Sequence, residues 1–339
     1  MSKWIGTSNN GFSPYAMEEL RRIFESIRFE QLVPGEVFLI EIPKENDEVL
    51  AGLEKHECIF LRHIQPIDRE LKAVGDERDL LALRELISYI ESSVAHKQVA
   101  VHVRASKGAK LAASKAEVRQ QLNEALEQAG ATISLQSPEL IIAVYAHQEY
   151  IWVGFGTVEE MRSSWPGGAV RFQREDNQIS RAKFKLLEAE QAFGLDFTLF
   201  KNAIDVGAAP GGWTSLLLER GLRVTAIDPA NLDERLIGYP GLTHLKKNAS
   251  EVKLPKASFD LLVCDMSWSP NQMSKLVLEL QYALMPYAYG IITVKLMHKK
   301  GMQSIREVKE RLSSSFHILR AKQLFHNREE ITLFIQRKS

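Results

Sequence analysis

The stretch Asp205-Val-Gly-Ala-Ala-Pro-Gly-Gly-Trp213 decides the fold of the second half of this chain. It follows the apolar residues Ala203-Ile204 and leads into Ser215-Leu-Leu-Leu, which is typical of a strand, a turn and a helix. Glycines in such a turn let a ligand approach the backbone, and Pro210 suits a helix start, where its missing N–H costs nothing. Because N–H groups at a helix N-terminus attract anions, we expect this turn to bind a phosphate or the carboxylate of an amino-acid moiety.

Strand and helix patterns alternate from about residue 180 to the end, which is typical of a parallel sheet with crossover helices. The predicted strands are 203–206, 223–227, 244–247, 259–264, 290–295, 318–324 and 331–336. Residues 325–330 are too few for a helical crossover, so we expect the last two strands to pair antiparallel at the sheet edge. The predicted fold class is α/β, a Rossmann-like sheet of seven strands whose last two are antiparallel.

The first half of the chain alternates short β-branched runs with amphipathic helices, which predicts small α+β modules. We expect a strand over 38–42, a helix over 76–92, a strand over 98–103, a helix over 114–128 and a hairpin of 139–145 with 150–154. Apolar periodicity lapses between 156 and 180, so we place a domain boundary near 163–173. The predicted division is 1–60, 61–165 and 166–339.

Composition limits the functional classes. The chain has 339 residues, 45% hydrophobic and 25% charged, enough for about two domains, and its formal net charge is zero. Any nucleic-acid surface must therefore be a local patch. The two cysteines, Cys58 and Cys264, are far apart and have no CxxC partner, which argues against a disulfide framework, a zinc site or an iron–sulfur cluster, and we expect no metal. Since no apolar run has the length of a signal peptide or membrane span, we expect a soluble cytoplasmic protein.

Asp228 ends the second predicted strand, about twenty residues after the glycine turn, where an acidic residue can bind ribose hydroxyls. Dinucleotide-binding and adenosyl-cofactor enzymes share that position. A dinucleotide fingerprint also needs Gly-x-Gly-x-x-Gly, whereas here Gly207 is followed by Ala-Ala-Pro before Gly211-Gly212. The spacing therefore disfavours a dehydrogenase.

Two more chemistry-bearing residues end apolar strands. Asp265 follows Leu261-Leu-Val-Cys264, and Lys295 follows Ile291-Ile-Thr-Val294. Ligands of open α/β sheets bind outside the carboxyl ends of the strands, so we expect both side chains near the ligand. On their own, Lys185 and Glu330 are indistinguishable from surface charges.

Five segments together resemble the FtsJ-type superfamily of ribose 2′-O-methyltransferases, in order and spacing. They are Ser180-Arg-Ala-Lys-Phe-Lys185-Leu, Asp205 to Trp213, Val263-Cys-Asp265-Met, Val294-Lys295-Leu and Arg328-Glu-Glu330-Ile-Thr. Within it the likeness is closest to the bacterial large-subunit ribosomal RNA ribose methyltransferase M group, which shares the Gln323-Leu-Phe-His-Asn-Arg-Glu-Glu330 context. The resemblance covers about Ser180 to the end and implies a class I methyltransferase sheet with S-adenosyl-L-methionine as cofactor.

The resemblance also implies residue roles. Its Lys-Asp-Lys-Glu catalytic tetrad falls on Lys185, Asp265, Lys295 and Glu330. With the rest of the glycine turn, the candidate cofactor-binding residues are Ser180, Asp205, Gly207, Ala209, Pro210, Gly211, Gly212, Trp213, Asp228, Asn248 and Asp265. Asn248 departs from the family, which usually has an acidic residue against the adenine amine. Its carbonyl could accept the same hydrogen bond without the charge, which puts cofactor affinity in doubt.

The first half is similar to a THUMP domain, an RNA-binding module of several RNA-modifying enzymes. The likeness lies in Val101-His-Val-Arg and in Ala131 to Tyr145, preceded by a small ferredoxin-like unit around Gly6-Thr-Ser-Asn-Asn-Gly. Basic residues suited to RNA phosphates are in excess from Lys295 to the end, and they also form two shorter groups. They are Lys107, Lys110, Lys115 and Arg119 in the first half, and Arg171, Arg174, Arg181 and Lys183 before the predicted sheet.

We therefore expect a monomeric enzyme that methylates a ribose 2′-hydroxyl of large-subunit ribosomal RNA, at a cytidine by resemblance, with Lys295 as general base. Two alternatives stay open. One is an RNA base methyltransferase, although Asp265-Met-Ser-Trp lacks the Asn/Asp-Pro-Pro-aromatic pattern of exocyclic amine methylation. The other is a catalytically silent RNA-binding or ribosome-assembly protein.

Overall fold

The computed structural model describes residues 1–111, 113–173, 178–297 and 301–339. The chain divides into two compact units, Met1–Val170 and Arg171–Ser339. The predicted further division of the first unit at residue 60 stays a prediction.

The first unit contains strands and short helices in an α+β arrangement. Its strands are β1 (Ser2–Thr7), β2 (Arg28–Val33), β3 (Val37–Ile42), β4 (His63–Pro66), β5 (Arg69–Lys72), β6 (Gln98–Ala105), β7 (Thr132–Ile133), β8 (Leu140–His147) and β9 (Tyr150–Gly156). Its helices are α1 (Ser13–Ile23), α2 (Asn46–Lys55), α3 (Glu77–Tyr89), α4 (Glu91–Val94), α5 (Lys115–Gln128) and α6 (Val158–Met161).

Those strands form two sheets, in the orders β2-β3-β1-β4 and β5-β9-β8-β6-β7. The predicted hairpin is confirmed, because β8 and β9 pair antiparallel up to His147 opposite Tyr150. The predicted start of α5 is also confirmed: the Ser114 hydroxyl accepts a hydrogen bond from the Glu117 N–H, and the Glu117 carboxylate accepts one from the Ser114 N–H. Apolar side chains of α3 and α5 pack on the second sheet, which buries one of the cores of this unit.

The second unit is a sheet with helical crossovers. Its elements are α7 (Lys183–Ala192), β10 (Asn202–Val206), α8 (Gly212–Glu219), β11 (Arg223–Ile227), β12 (Leu242–Leu245), β13 (Phe259–Cys264), α9 (Pro270–Leu280), β14 (Leu284–Lys295), α10 (Gly301–Leu312), β15 (Phe316–Lys322) and β16 (Glu330–Arg337).

Within the described residues, the strand order is β12-β11-β10-β13-β14-β16-β15. The first five strands are parallel, and β16 lies antiparallel between β14 and β15. The predicted seven-stranded α/β sheet with a final antiparallel pair is thus confirmed. Central strands of a parallel sheet are covered on both faces, and Leu261 to Cys264 are accordingly fully buried. The carboxyl ends of β10, β11, β13 and β14 meet at one edge, where β16 begins.

Several predicted boundaries were wrong by a few residues; β15, for example, spans Phe316–Lys322 instead of 318–324. Strand β12 ends at Leu245, because its pairing with β11 stops there and Lys246 and Lys247 are exposed. Strand β14 begins at Leu284, which pairs with Phe259; Pro286 interrupts the apolar pattern and hides this extension. Helix α8 begins at Gly212, so Pro210 lies in the turn before it.

A polar layer connects the two sheets of the first unit. The Arg104 guanidinium donates to the Thr7 hydroxyl (2.9 Å) and to the Gln65 side-chain oxygen (3.2 Å). His63 and His102 are buried in this layer, and among the described residues both ring nitrogens of His63 and Nδ1 of His102 have no hydrogen-bond partner. Burial and the charge of Arg104 hold the pKa of His63 well below its ordinary value and lower the pKa of His102 to about 4. Both rings are therefore neutral at pH 7.

We predict that acid destabilises the first unit through these histidines. A histidine with a depressed folded pKa contributes stability above its unfolded pKa of about 6.5, and this is lost as pH falls toward the folded pKa. For His102 the loss between pH 7 and pH 4 is on the order of 3 kcal/mol. The loss of unfolding free energy can be measured by urea unfolding near pH 7 and near pH 4, followed by hydrogen exchange of peptides from β4 and β6.

His102→Gln should lose less unfolding free energy on acidification than the wild type. His56→Gln, at an exposed position of the same unit, is the matched control and should behave as the wild type. Equal losses in all three proteins would contradict the assignment.

Candidate active site

The glycine turn between β10 and α8 is closely packed. Gly207 and Gly211 have φ of +76° and +114°, which L side chains rarely adopt. A Cβ at Gly207 would lie 2.7 Å from Cγ of Met266, and one at Gly211 would collide with Leu236. Gly212 is equally confined, because its Cβ would collide with the Ser180 hydroxyl. Glycine is therefore required at these positions by the protein's own packing.

The start of α8 carries N–H groups that have no acceptor within the helix, and that of Thr214 is directed at the buried Asp205 carboxylate. Gly211, the N-cap, makes no side-chain capping hydrogen bond, and the first helical N–H that finds an intrahelical acceptor is that of Ser215. The Trp213 indole donates to the Ala182 carbonyl (2.8 Å), which ties the helix to the segment containing Ser180. These backbone donors suit a carboxylate, such as that of the methionine moiety of S-adenosylmethionine.

Asp228 follows β11 and faces the same turn. Its Oδ2 accepts from the Ala209 N–H (3.1 Å) and its Oδ1 from the Ala230 N–H (2.8 Å). Each oxygen keeps a lone pair, so the carboxylate is held in place and can still accept ribose hydroxyls. Asn248 is exposed, and its amide donates to Glu251 (3.1 Å), which leaves its carbonyl oxygen as an acceptor.

The structure buries Asp205, the first residue of the turn motif. Its side chain is 1% exposed and accepts a 2.6 Å hydrogen bond from the Thr214 hydroxyl, which links β10 to α8. Burial raises the pKa of Asp205 to about 7; the Thr214 bond opposes this shift, and the charges of Asp265 and Asp228 add to it. Asp205 therefore supports the turn from within, while Asp228 and the α8 donors offer accessible groups.

Lys185, Asp265 and Glu330 form one ionic cluster. The Lys185 ammonium lies 3.1 Å from Asp265 Oδ2 and 2.9 Å from Glu330 Oε1, and each of the three side chains is about 20% exposed. The Thr293 hydroxyl donates to Asp265 Oδ1 (2.9 Å) and fixes its orientation. Helix α7, the end of β13 and the start of β16 thus supply three of the four predicted catalytic residues to one contact.

The charge state of Lys185 follows from this cluster. Burial alone would lower its pKa, but the Asp265 and Glu330 carboxylates outweigh burial and raise the pKa above the ordinary value. Lys185 is therefore an ammonium at physiological pH and has no role as a base.

Lys295, the fourth predicted catalytic residue, ends β14 directly opposite Glu330 in the β14–β16 register. Its side chain is exposed, and it makes no hydrogen bond or ion pair with the residues that the structure describes. The structure thus places Lys295 at the cluster without joining it to the ion pairs.

Sequence reasoning missed Thr293. It lies two residues before Lys295 on one strand, and the two-residue period of a strand places both on the same face, so the signal was present. Cys264, considered as a possible nucleophile for carbon methylation, is fully buried, and burial raises the pKa of its thiol. It is therefore a protonated core residue.

In the described part of the chain, no group of His, Cys, Asp and Glu is placed to hold a metal ion. Nor does any helix there combine the length and apolar character needed to cross a membrane. Among the basic residues predicted to meet RNA, Arg171 and Arg181 are exposed, Lys183 is buried against Glu219 (2.8 Å), and Arg174 lies outside the described residues.

Residues 178–329 match the family of FtsJ-like methyltransferases. The ribosomal RNA large subunit methyltransferase M of Halorhodospira halophila is 33% identical over 64% of this chain and 62% of its own length. The protein of the same name from Thauera aminoaromatica is 34% identical over the same shares. The chain thus spans about three fifths of the length of the curated relatives it matches. The crystal structure of TrmN from Thermus thermophilus aligns over 99% of this chain and 100% of its own, with 15% identity and a TM-score of 0.40.

We predict that Asp205 makes the second unit more stable in acid. A carboxyl with a raised folded pKa stabilises the fold when protonated, so stability falls as pH rises from about 4 through about 7. The difference between the unfolded pKa of about 4 and the folded pKa of about 7 corresponds to a loss of unfolding free energy on the order of 4 kcal/mol. Asp205→Asn keeps an acceptor for Thr214 and removes the charge, so it should flatten this dependence and raise the unfolding free energy near pH 8.

Urea unfolding followed by hydrogen exchange of β10 and α8 peptides measures the effect. Glu234→Gln, which removes an exposed carboxylate of the same unit, is the control and should keep the wild-type dependence. If the Asp205→Asn protein also kept the wild-type pH dependence of stability, Asp205 would not be its cause.

Proposed function

We propose that this chain, whose residues 178–329 are an FtsJ-like methyltransferase domain, transfers the methyl group of S-adenosylmethionine to a ribose 2′-hydroxyl of large-subunit ribosomal RNA. The observation that supports this most is the Lys185–Asp265–Glu330 cluster, with Lys295 opposite Glu330, at the sheet edge that carries the glycine turn. The relatives that this chain resembles are ribosomal RNA large subunit methyltransferases by name, which supports ribosomal RNA as the class of substrate. The cytidine implied by resemblance is part of the proposal.

The residues of the glycine turn suit the cofactor as a set. Backbone donors at the start of α8 would hold the methionine carboxylate, and Asp228 the ribose hydroxyls. The Asn248 carbonyl would accept from the adenine amine. When bound, S-adenosylmethionine supplies an electrophilic methyl group. Ser180 packs against Gly212 and so shapes the wall of this site.

Lys295 is the proposed general base. A free lysine has a pKa of about 10.4, so it must be made less basic to accept a proton near pH 7. Because Lys295 is exposed in the free protein, desolvation has to come from the bound RNA. Asp265 and Glu330 would keep Lys185 in place, and Glu330 also adjoins Lys295.

The alternatives fit the site less well. Carbon methylation needs an accessible cysteine, whereas Cys264 is buried, and the residues after Asp265 lack the pattern of amine methylation. A silent RNA-binding protein would have no need of an intact ionic cluster. We place the enzyme in the cytoplasm, where bacterial ribosomal RNA is processed, as a monomer whose first unit is a THUMP-like RNA-binding region.

Lys295→Ala should reduce methyl transfer by about 10²- to 10⁴-fold, the usual contribution of a general base. Cofactor affinity should stay unchanged, because the turn is intact. The assay uses protein-free large-subunit ribosomal RNA from cells lacking the gene, followed by nuclease digestion and mass spectrometry of the nucleosides, which separates ribose from base methylation. Calorimetry measures the affinity for S-adenosylmethionine.

Lys253→Ala, at an exposed lysine of the same unit outside the site, is the control and should retain full activity. Normal transfer by Lys295→Ala would remove the base assignment. A methylated base as product would overturn the proposed reaction.

A further inference from the structure

Three aromatic side chains cluster on the second unit: Phe172, Phe184 and His326. The Phe172 ring is stacked on both partners, with centroids 5.6 Å from Phe184 and 5.5 Å from His326 and interplanar angles of 27°. Phe184 and His326 are 5.5 Å apart. All three are partly exposed, unlike the core aromatic residue Phe197 of the same unit, which is fully buried. The cluster therefore presents ring surface to solvent.

A buried carboxylate fixes the histidine of this cluster. Glu188 on α7 is 5% exposed and accepts from the backbone N–H groups of Phe325 (2.6 Å) and His326 (2.9 Å). It also lies 2.7 Å from His326 Nδ1, which donates to it as N–H. This arrangement determines the orientation of the ring and leaves Nε2 without a partner among the described residues.

The cluster adjoins the candidate active site along the chain. Phe184 directly precedes Lys185 on α7, and His326 lies in the connection between β15 and β16, four residues before Glu330. The two segments that supply Lys185 and Glu330 thus also supply two of the three rings, Phe184 and His326. This shared origin is the reason to expect a ligand on the rings near the proposed catalytic groups.

Exposed arginines flank each segment. Arg171 precedes Phe172, the Arg181 carbonyl accepts from the Phe184 N–H (3.1 Å), and Arg328 follows His326 by two residues. All three side chains are exposed, and none forms an ion pair with a described carboxylate. Aromatic faces flanked by exposed guanidinium groups match the chemistry of a single-stranded nucleic acid, which offers π-faces and phosphates together.

We propose that Phe172, Phe184 and His326 form a platform on which an unpaired RNA base stacks, next to the ribose that is methylated. The proposal rests on the proposed function and extends it to how the substrate is held. The rings bind the face of the base, the arginines bind neighbouring phosphates, and His326 Nε2 can hydrogen-bond an edge of the base. Since bases are accessible in this way only when unpaired, the platform selects single-stranded or bulged RNA.

The test uses the full chain and two readouts. The first is methyl transfer to protein-free large-subunit ribosomal RNA, analysed for KM and kcat. The second is the fluorescence of a single-stranded oligoribonucleotide carrying 2-aminopurine, which stacking quenches. Phe172→Ala should raise the KM for RNA by about 5- to 150-fold, the effect of losing one base–aromatic stack, and should abolish the quenching. Phe172→Tyr keeps the ring and should restore both.

Tyr287→Ala is the matched control, because Tyr287 is an aromatic residue of the same unit that is 60% exposed and distant in sequence from the platform residues. It should behave as the wild type. Affinity for S-adenosylmethionine, measured by calorimetry, should stay within about twofold in every variant, since the platform does not contain the glycine turn. If Phe172→Ala misfolds and loses its affinity for S-adenosylmethionine, His326→Ala replaces it in the test, and the KM for RNA and the quenching are measured on that variant.

A wild-type KM and wild-type quenching in Phe172→Ala would overturn the platform. Failure of the proposed function has a different signature, because the wild-type protein would then transfer no methyl group to ribosomal RNA while still quenching the probe through Phe172.

Discussion

The two ion pairs of Lys185 are the contact on which the candidate site depends. Asp265 and Glu330 come from the end of β13 and the start of β16, and without a cation between them two carboxylates would repel each other at a half-buried position. Lys185 brings α7 to that edge and stays charged as a result. The pairing therefore fixes the geometry and also determines which lysine is available as a base.

The same edge is rich in carboxylates. Burial raises the pKa of Asp205 to about 7, and the charges of Asp265 and Asp228 add to this shift. A negative field favours a cationic ligand, and a sulfonium cofactor carries its positive charge at the reacting atom. The buried Asp205 carboxylate lowers the stability of the fold when it is charged. It is nevertheless the hydrogen-bond acceptor that joins Thr214 of α8 to β10.

Much of the fold could be predicted from the sequence because its signals are local. The apolar strand before Gly207, the alternation of strands and helices and the short 325–330 connection predict the sheet and its antiparallel end. The meeting of Lys185 with Glu330 depends on long-range packing that no periodicity encodes, and only the resemblance to a family indicated it. The exposure of Lys295 was not predictable either, since its position at a strand end does not determine the burial of its side chain. The stacking of Phe172 on His326 joins separate segments, so no local pattern marks it.

Mapping of 2′-O-methylation along the large-subunit ribosomal RNA, in cells with and without the gene, tests the central claim most directly. The account predicts that one ribose loses its methyl group in the deletion strain and regains it when the wild-type chain is expressed. An unchanged pattern of ribose methylation, or the loss of a methyl group from a base, would contradict the account.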